Sequence, residues 1–402
     1  MSCDQVSSMT IKEMKNRLAF LQQQIKDARV PVVIVFEGFS ATGKGQAISS
    51  LILNFDPRGY DVYATRAPET HEKRKPWLAR FAEKIPTRGR IAVFDRSWYS
   101  GLMQMKGRQA KPARLIEHLN DVNMFERQLT DDGYHIIKFF FHISKKEQKK
   151  RLKKLMDSKD TLWRVTKRDL GALKKYGSIS ESYRKIIEAT DRPQSKWHVV
   201  DSTKRKHVKR AVLQTLMDTF EAALKTVNNS STKAAVPAGN PFINARFGIL
   251  PTRRIQDYDL SQTMERSVYD QQLVDLQREL KNLHNVVYRK KIPIILAFEG
   301  NDAAGKGGSI KRVARALDPR GYAVIPVGAP TPDERDRQYL WRFWTKLPKT
   351  GHIAIFDRTW YGRVLVERVE QLTPEARILQ AYNEINEFEY MLHEWGAVVL
   401  KF

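Results

Sequence analysis

Two short stretches of this sequence have a spacing suited to holding phosphate: GFSATGKG at 38–45 and GNDAAGKG at 300–307. Each follows a continuous apolar run. Backbone N–H groups of such a loop wrap an anion, and a helix starting behind it aims its positive end at the same point. In the second stretch the candidates for phosphate contact are Gly300, Ala304, Gly305, Gly307 and Gly308, with Lys306 adding a full charge. Lys44 is the matching lysine of the first. The residue after the lysine is usually Ser or Thr, whose hydroxyl binds Mg²⁺. Here it is Gly45 and Gly307, so a metal must take its oxygens elsewhere.

Carboxylates supply such oxygens. Asp302 lies inside the second loop, and Asp357 sits in FDRTWY at 356–361. An acid ending a parallel strand stands where open α/β sheets place ligand chemistry, although a helix cap would use the same residue. Arg358, Arg363 and Arg368 follow closely, with Glu367 among them. Guanidiniums suit bidentate capture of phosphate oxygens; a solvated helix face is the plainer alternative. The first copy keeps Asp95 in FDRSWY but has Ser40 where Asp302 stands, and it lacks the arginine cluster.

The elements behind these residues repeat. Residues 31–100 align without a gap on 293–362, with identity at 31 of 70 positions. The match resumes one residue out of step, pairing Phe125–Glu126 with Phe388–Glu389 and Lys138–Phe139 with Lys401–Phe402. A period this long means tandem domains. Each copy opens with a helical pattern (11–25 and 269–287), then a buried-strand run, VVIVF or IILAF, then the loop and a helix, and later IAVF or IAIF. Strand and helix in alternation predict an α/β fold, each domain a parallel sheet flanked by helices. The expected domains are 1–227 and 261–402, joined by a linker at 228–260 rich in Asn, Ser, Pro and Gly. The second copy stops at the equivalent of Phe139, so it reads as truncated before its lid, with weak turnover expected from the chain as given.

Charge narrows the partners. A formal net charge of +25 in 402 residues opposes compaction and suits an anionic partner. Residues 145–175 hold 13 Lys and Arg against four Asp and Glu, with Trp163 inside the segment and Tyr176 after it. That composition fits a lid over phosphates, a surface for single-stranded nucleic acid, or an exposed charged helix. The single cysteine, Cys3, excludes a disulfide framework and a cysteine-based zinc site. No apolar run is long enough to cross a bilayer and the start lacks a secretory pattern, so a cytoplasmic setting without membrane contact is expected.

FEGNDAAGKGG at 298–308, DPRGY at 318–322, FDRTWY and VERV together resemble the polyphosphate kinase 2 family, as do WRVTKRDL and KWHVV in the first copy. The tandem pair with an altered first loop is similar to the family's fused two-domain class. The resemblance implies tandem P-loop kinase domains of thymidylate-kinase-like fold and Mg²⁺-dependent phosphoryl transfer from inorganic polyphosphate to a nucleoside phosphate, AMP to ADP foremost. It implies Asp302, Lys306, Asp357 and Arg358 as catalytic, with Asp302 and Asp357 organising the metal. Arg363 and Arg368 would neutralise charge, and Glu367 is carried over with them. Nucleic acid is not an expected partner, and a homo-oligomer is left open. The alternatives are an ATP-dependent nucleotide kinase and a non-catalytic polyanion- or nucleic-acid-binding protein.

Overall fold

In the computed structural model the described residues are 9–104, 111–229, 255–259 and 261–402. Most of the expected linker, 230–254 and 260, lies outside them. The chain forms two compact units, one around each of two parallel sheets.

The first unit opens with α1 (Ile11–Asp27), started by a capping box between Thr10 and Glu13. Its buried residues Met14, Leu18, Leu21 and Ile25 recur at intervals of four, three and four, which is one face of a helix. β1 (Val32–Gly38) follows and is buried along its whole length, because it is the central strand. After it come α2 (Lys44–Ile52), β2 (Tyr60–Ala64), β3 (Ile91–Asp95), α3 (Trp98–Gln104), α4 (Pro112–Asp131) and β4 (His135–His142). The unit is completed by α5 (Lys145–Met156), α6 (Lys167–Lys174), α7 (Tyr176–Thr190), β5 (Trp197–Asp201) and α8 (Arg205–Asn229). The strand order is β2-β3-β1-β4-β5, every pairing parallel. Val212, Leu216 and Phe220 of α8 join the stripe of α1 in one core with the sheet.

The second unit repeats the plan with α9 (Arg266–Lys290), β6 (Ile294–Phe298), α10 (Lys306–Ala314), β7 (Tyr322–Pro326), β8 (Ile353–Asp357), α11 (Glu375–Glu394) and β9 (Val398–Lys401). Its strand order is β7-β8-β6-β9, again all parallel. The register pairs Phe36 with Asp95 and Phe298 with Asp357, so in each unit the FDR aspartate emerges beside the strand that leads into the loop. Among the described residues no helix is long and apolar enough to cross a membrane.

Candidate active site

Both loops adopt one backbone course. Ala41 and Ala303 each have φ of 62°, and Gly43 and Gly305 have φ of 94° and 91°. The left-handed glycine immediately precedes each helix, and a side chain there would strain the turn. The lysine folds back along the loop in both copies. Lys306 Nζ donates to the carbonyls of Gly300 (2.6 Å) and Asn301 (2.7 Å). Lys44 Nζ donates to those of Gly38 (2.9 Å) and Phe39 (2.8 Å).

In the second unit the loop borders an open cavity of about 510 Å³. Asp302, Ala304, Gly305, Lys306, Gly307 and Gly308 line it from the loop side, and Asp357 and Arg358 from the end of β8. Gly300, Arg363, Glu367 and Arg368 do not line it. Arg358 sits in the left-handed region at φ 67°, a costly conformation for a side-chain-bearing residue that turns the chain sharply after Asp357. Its guanidinium donates to Asp302 Oδ1 at 2.8 Å, and the Asp302 side chain is 90% exposed. The next residue, Thr359, caps the turn Trp360–Arg363, so Asp357 is not spent as a cap.

The expected cluster of three arginines separates. Arg363 is paired with Glu367 at 2.7 Å, donates to Thr373 Oγ1 at 2.5 Å and lies 4.3 Å over the Tyr339 ring. Arg368 donates to Tyr382 Oη at 3.2 Å. Of the three, Arg358 alone lines the cavity. The reason is local: Glu367 is four residues after Arg363, the spacing at which a helical turn brings opposite charges together.

Two carboxylates that the sequence reading passed over hold the site's turn. Glu299 Oε1 accepts from Thr359 N (2.6 Å) and Thr359 Oγ1 (2.5 Å). Glu389 of α11 accepts from Trp360 Nε1 (3.0 Å), Tyr361 Oη (2.6 Å) and Lys401 Nζ (2.7 Å). The first unit uses Glu37 and Glu126 in the same places. Glu37 accepts from the N–H and hydroxyl groups of Ser97 and Ser100 at 2.7–3.0 Å, and burial pushes its carboxyl up. A signal for Glu126 and Glu389 was on the page, since both fall in the stretch where the repeat resumes.

The first loop is packed against its own unit. Phe39, only 4% exposed, stacks on Tyr176 at 4.7 Å and meets Tyr183 edge-on at 5.7 Å. Ser40 Oγ accepts from Gln148 Nε2 at 3.1 Å. Arg151 Nη1 donates to the carbonyls of Ala41 and Thr42, both at 3.3 Å. Lys44 is buried, and that burial, helped by the charge of Arg96, pushes its ammonium down to about 8. The second loop is exposed at Asn301, Asp302 and Ala303.

The sequence profile of Polyphosphate kinase 2 matches residues 2–228 and again 263–402. The chain belongs to the polyphosphate kinase 2 family. It is similar to the polyphosphate:AMP phosphotransferase of Pseudomonas aeruginosa, 36% identical over 394 residues that cover 97% of this chain and 78% of that protein. It is similar also to the enzyme of that name from Pseudomonas syringae pv. tomato, at 37% identity over 96% of this chain and 77% of the relative. A crystal structure described as a polyphosphate kinase 2 from P. aeruginosa covers 100% of this chain and 78% of its own, with a TM-score of 0.79 at 33% identity. Both units are thus polyphosphate kinase 2 copies, and between them Asp302, where the first has Ser40, distinguishes the second.

Proposed function

We propose that this polyphosphate kinase 2 chain transfers a phosphoryl group from inorganic polyphosphate to AMP, giving ADP, at the cavity of the second copy. The observation that carries this reading is the convergence of Lys306, Arg358, Asp302, Asp357 and the loop amides on one cavity. AMP as acceptor draws support from the name the two Pseudomonas relatives share. The proposed domains are 1–227 and 261–402, with 228–260 as linker, in a cytoplasmic setting.

In this mechanism the loop amides and Lys306 hold the terminal phosphate of the donor. An oxygen of the AMP phosphate attacks its phosphorus, the P–O bond to the donor chain breaks, and the shortened chain leaves with the charge. Arg358, paired with Asp302 in the present geometry, turns to the transferring phosphate and offsets that charge. Glu299 and Glu389 fix the turn that aims Arg358. Positioning and charge neutralisation do most of the work in such transfers.

Asp302 and Asp357 border one cavity and offer hard oxygen ligands, which fits Mg²⁺. Magnesium keeps several waters and takes one or two protein carboxylates plus substrate phosphates, so two acids suffice. When bound there it would neutralise phosphate charge.

The test is conversion of AMP to ADP with polyphosphate as sole donor, then with ATP. Weak turnover with polyphosphate is expected of the chain as given, and in the complete protein Asp302→Asn should lower turnover about 100- to 1000-fold, the usual effect of losing transition-state electrostatics. Lys44→Ala should lower it modestly. Turnover with ATP alone would make the chain an ATP-dependent nucleotide kinase. A dead Lys44→Ala with an active Asp302→Asn would move the chemistry to the first copy.

A further inference from the structure

The α5 helix of the first unit carries lysines at 145, 146, 149, 150, 153 and 154. All six are exposed, and none has an ion-pair partner among the described residues. They fall into two rows with four-residue spacing, Lys145–Lys149–Lys153 and Lys146–Lys150–Lys154. Each step along a row rises about 6 Å. Like charges four apart destabilise an isolated helix, so an arrangement repeated over three turns is in conflict with local stability unless an anion relieves it. The one acid of the helix, Glu147, is taken by Arg151 at 2.7 Å.

The opposite face of α5 is anchored. Leu152 and Gln148 are buried, and Gln148 is bonded to Ser40. Arg151 reaches across to the carbonyls of Ser202 (2.8 Å) and Thr203 (2.9 Å), directly before α8. That contact ties the segment just before the exposed Lys204, Arg205 and Lys206 to the anchored side of α5. The acid at this junction, Asp201, is occupied by the N–H and hydroxyl of Thr203. The result is a cationic surface on an anchored helix that also holds the unit's own phosphate loop through Gln148 and Arg151.

We propose that this surface, the lysine rows of α5, captures long-chain inorganic polyphosphate with residues that do not line the reaction cavity. The identity of the polyanion rests on the function proposed above. A linear polymer with charge on every phosphate is matched by rows of point charges, and lysine meets phosphate without a required orientation. Surfaces for single-stranded nucleic acid interleave aromatic rings with their cations. Residues 145–154 contain none, and Trp163, further on, has Arg164 over its ring at 5.2 Å. Polyphosphate is therefore the better match.

The test is a full-length variant with Lys149→Gln, Lys150→Gln, Lys153→Gln and Lys154→Gln. All four side chains are exposed and outside the reaction cavity, so the variant should fold. Equilibrium binding of long-chain polyphosphate, tripolyphosphate and a single-stranded DNA oligomer is measured at several salt concentrations. Affinity for long-chain polyphosphate should fall at least tenfold. By analogy with counterion release on nucleic acid, the log–log salt slope should become shallower by about 3. Tripolyphosphate binding should be unchanged. Unchanged affinity and slope for the long chain would overturn the proposal. A loss confined to the DNA oligomer would overturn the choice of partner. The binding readout stands apart from catalysis: a wild-type protein that uses ATP and ignores polyphosphate as donor would sink the proposed function, and this titration would still score the surface.

Discussion

The same carboxylate–lysine pair sits at two depths in the two units. In the first, Glu126 and Lys138 meet at 2.8 Å with side chains 2% and 0% exposed. In the second, Glu389 and Lys401 meet at 2.7 Å with side chains 15% and 53% exposed. The bonds to the neighbouring Trp and Tyr are conserved in kind, with Trp98 and Tyr99 donating to Glu126 as Trp360 and Tyr361 donate to Glu389. What differs is cover. In the first unit β5 pairs with β4, and Ser195 and the carbonyl of Thr190 close over Lys138, whereas β9 is an edge strand. Within the residues described, the same pairing pattern is a deep structural lock in the first copy and a half-solvated contact between Glu389 and Lys401 in the second.

That difference should be largest in stability. Glu126→Gln leaves the Lys138 ammonium buried without its counter-charge, and breaking a buried pair in this way costs about 3–5 kcal/mol. Glu389→Gln removes a pair already open to water, which should cost about 1 kcal/mol or less. Urea unfolding of the full chain, followed by tryptophan fluorescence, reads both. Equal losses would break the comparison.

The helices that open the units sharpen it further. Leu21 of α1 is 1% exposed beneath α8, while its counterpart in the repeat, Leu283 of α9, is 51% exposed. Leu21→Ala should cost about 2–5 kcal/mol, as large-to-small changes in a packed core do. Leu283→Ala should stay within about 0.5 kcal/mol, the range of surface changes. A comparable cost at both positions, by the same denaturation measurement, would show that α9 is covered in solution.

These contrasts also mark what was legible in the sequence. The sheets were, because a buried parallel strand needs a continuous apolar run, and VVIVF and IILAF read directly as β1 and β6. The loops were, because their chemistry is carried by backbone and needs glycine at fixed offsets. The fate of Arg363 was half legible: its i,i+4 relation to Glu367 is visible in sequence, but charge capture was given more weight than a local pair. The packing against the first loop was not legible. It depends on Tyr176 and Tyr183 folding back over Phe39 from more than 130 residues away, and no local spacing encodes that stacking. Glu37 and Glu299 escaped for a related reason, since a lone acid after an apolar strand says nothing about which turn it will bond.

The burial of Lys44 in the first loop has a measurable consequence in pH. The Lys44 ammonium is pushed from 10.5 down to about 8, first by burial and then by Arg96. Between those values the unfolded chain keeps the proton and the folded chain releases it. Stability therefore rises with pH across that window, and the penalty is fully present below about pH 8. At roughly 1.4 kcal/mol for each pH unit the whole effect is about 3 kcal/mol, of which about 2 kcal/mol should be recovered between pH 7.5 and 9.5. Other groups titrate in this range, so the quantity to follow is the difference between wild type and Lys44→Met, where methionine fills similar space without a charge. That difference should shift in favour of wild type by about 2 kcal/mol over the interval, in urea unfolding of the full chain. Phosphate added at pH 7.5 gives the complementary reading. A loop that accepted the anion would offset the charge of the buried ammonium, and phosphate would then stabilise wild type over Lys44→Met. A loop held by the Phe39–Tyr176 stack and clasped by Arg151 in a form closed to phosphate should leave the two equally insensitive. A flat pH difference would mean that Lys44 keeps its ordinary pKa in the folded chain, and a clear phosphate response would mean that the first copy still keeps a working phosphate site.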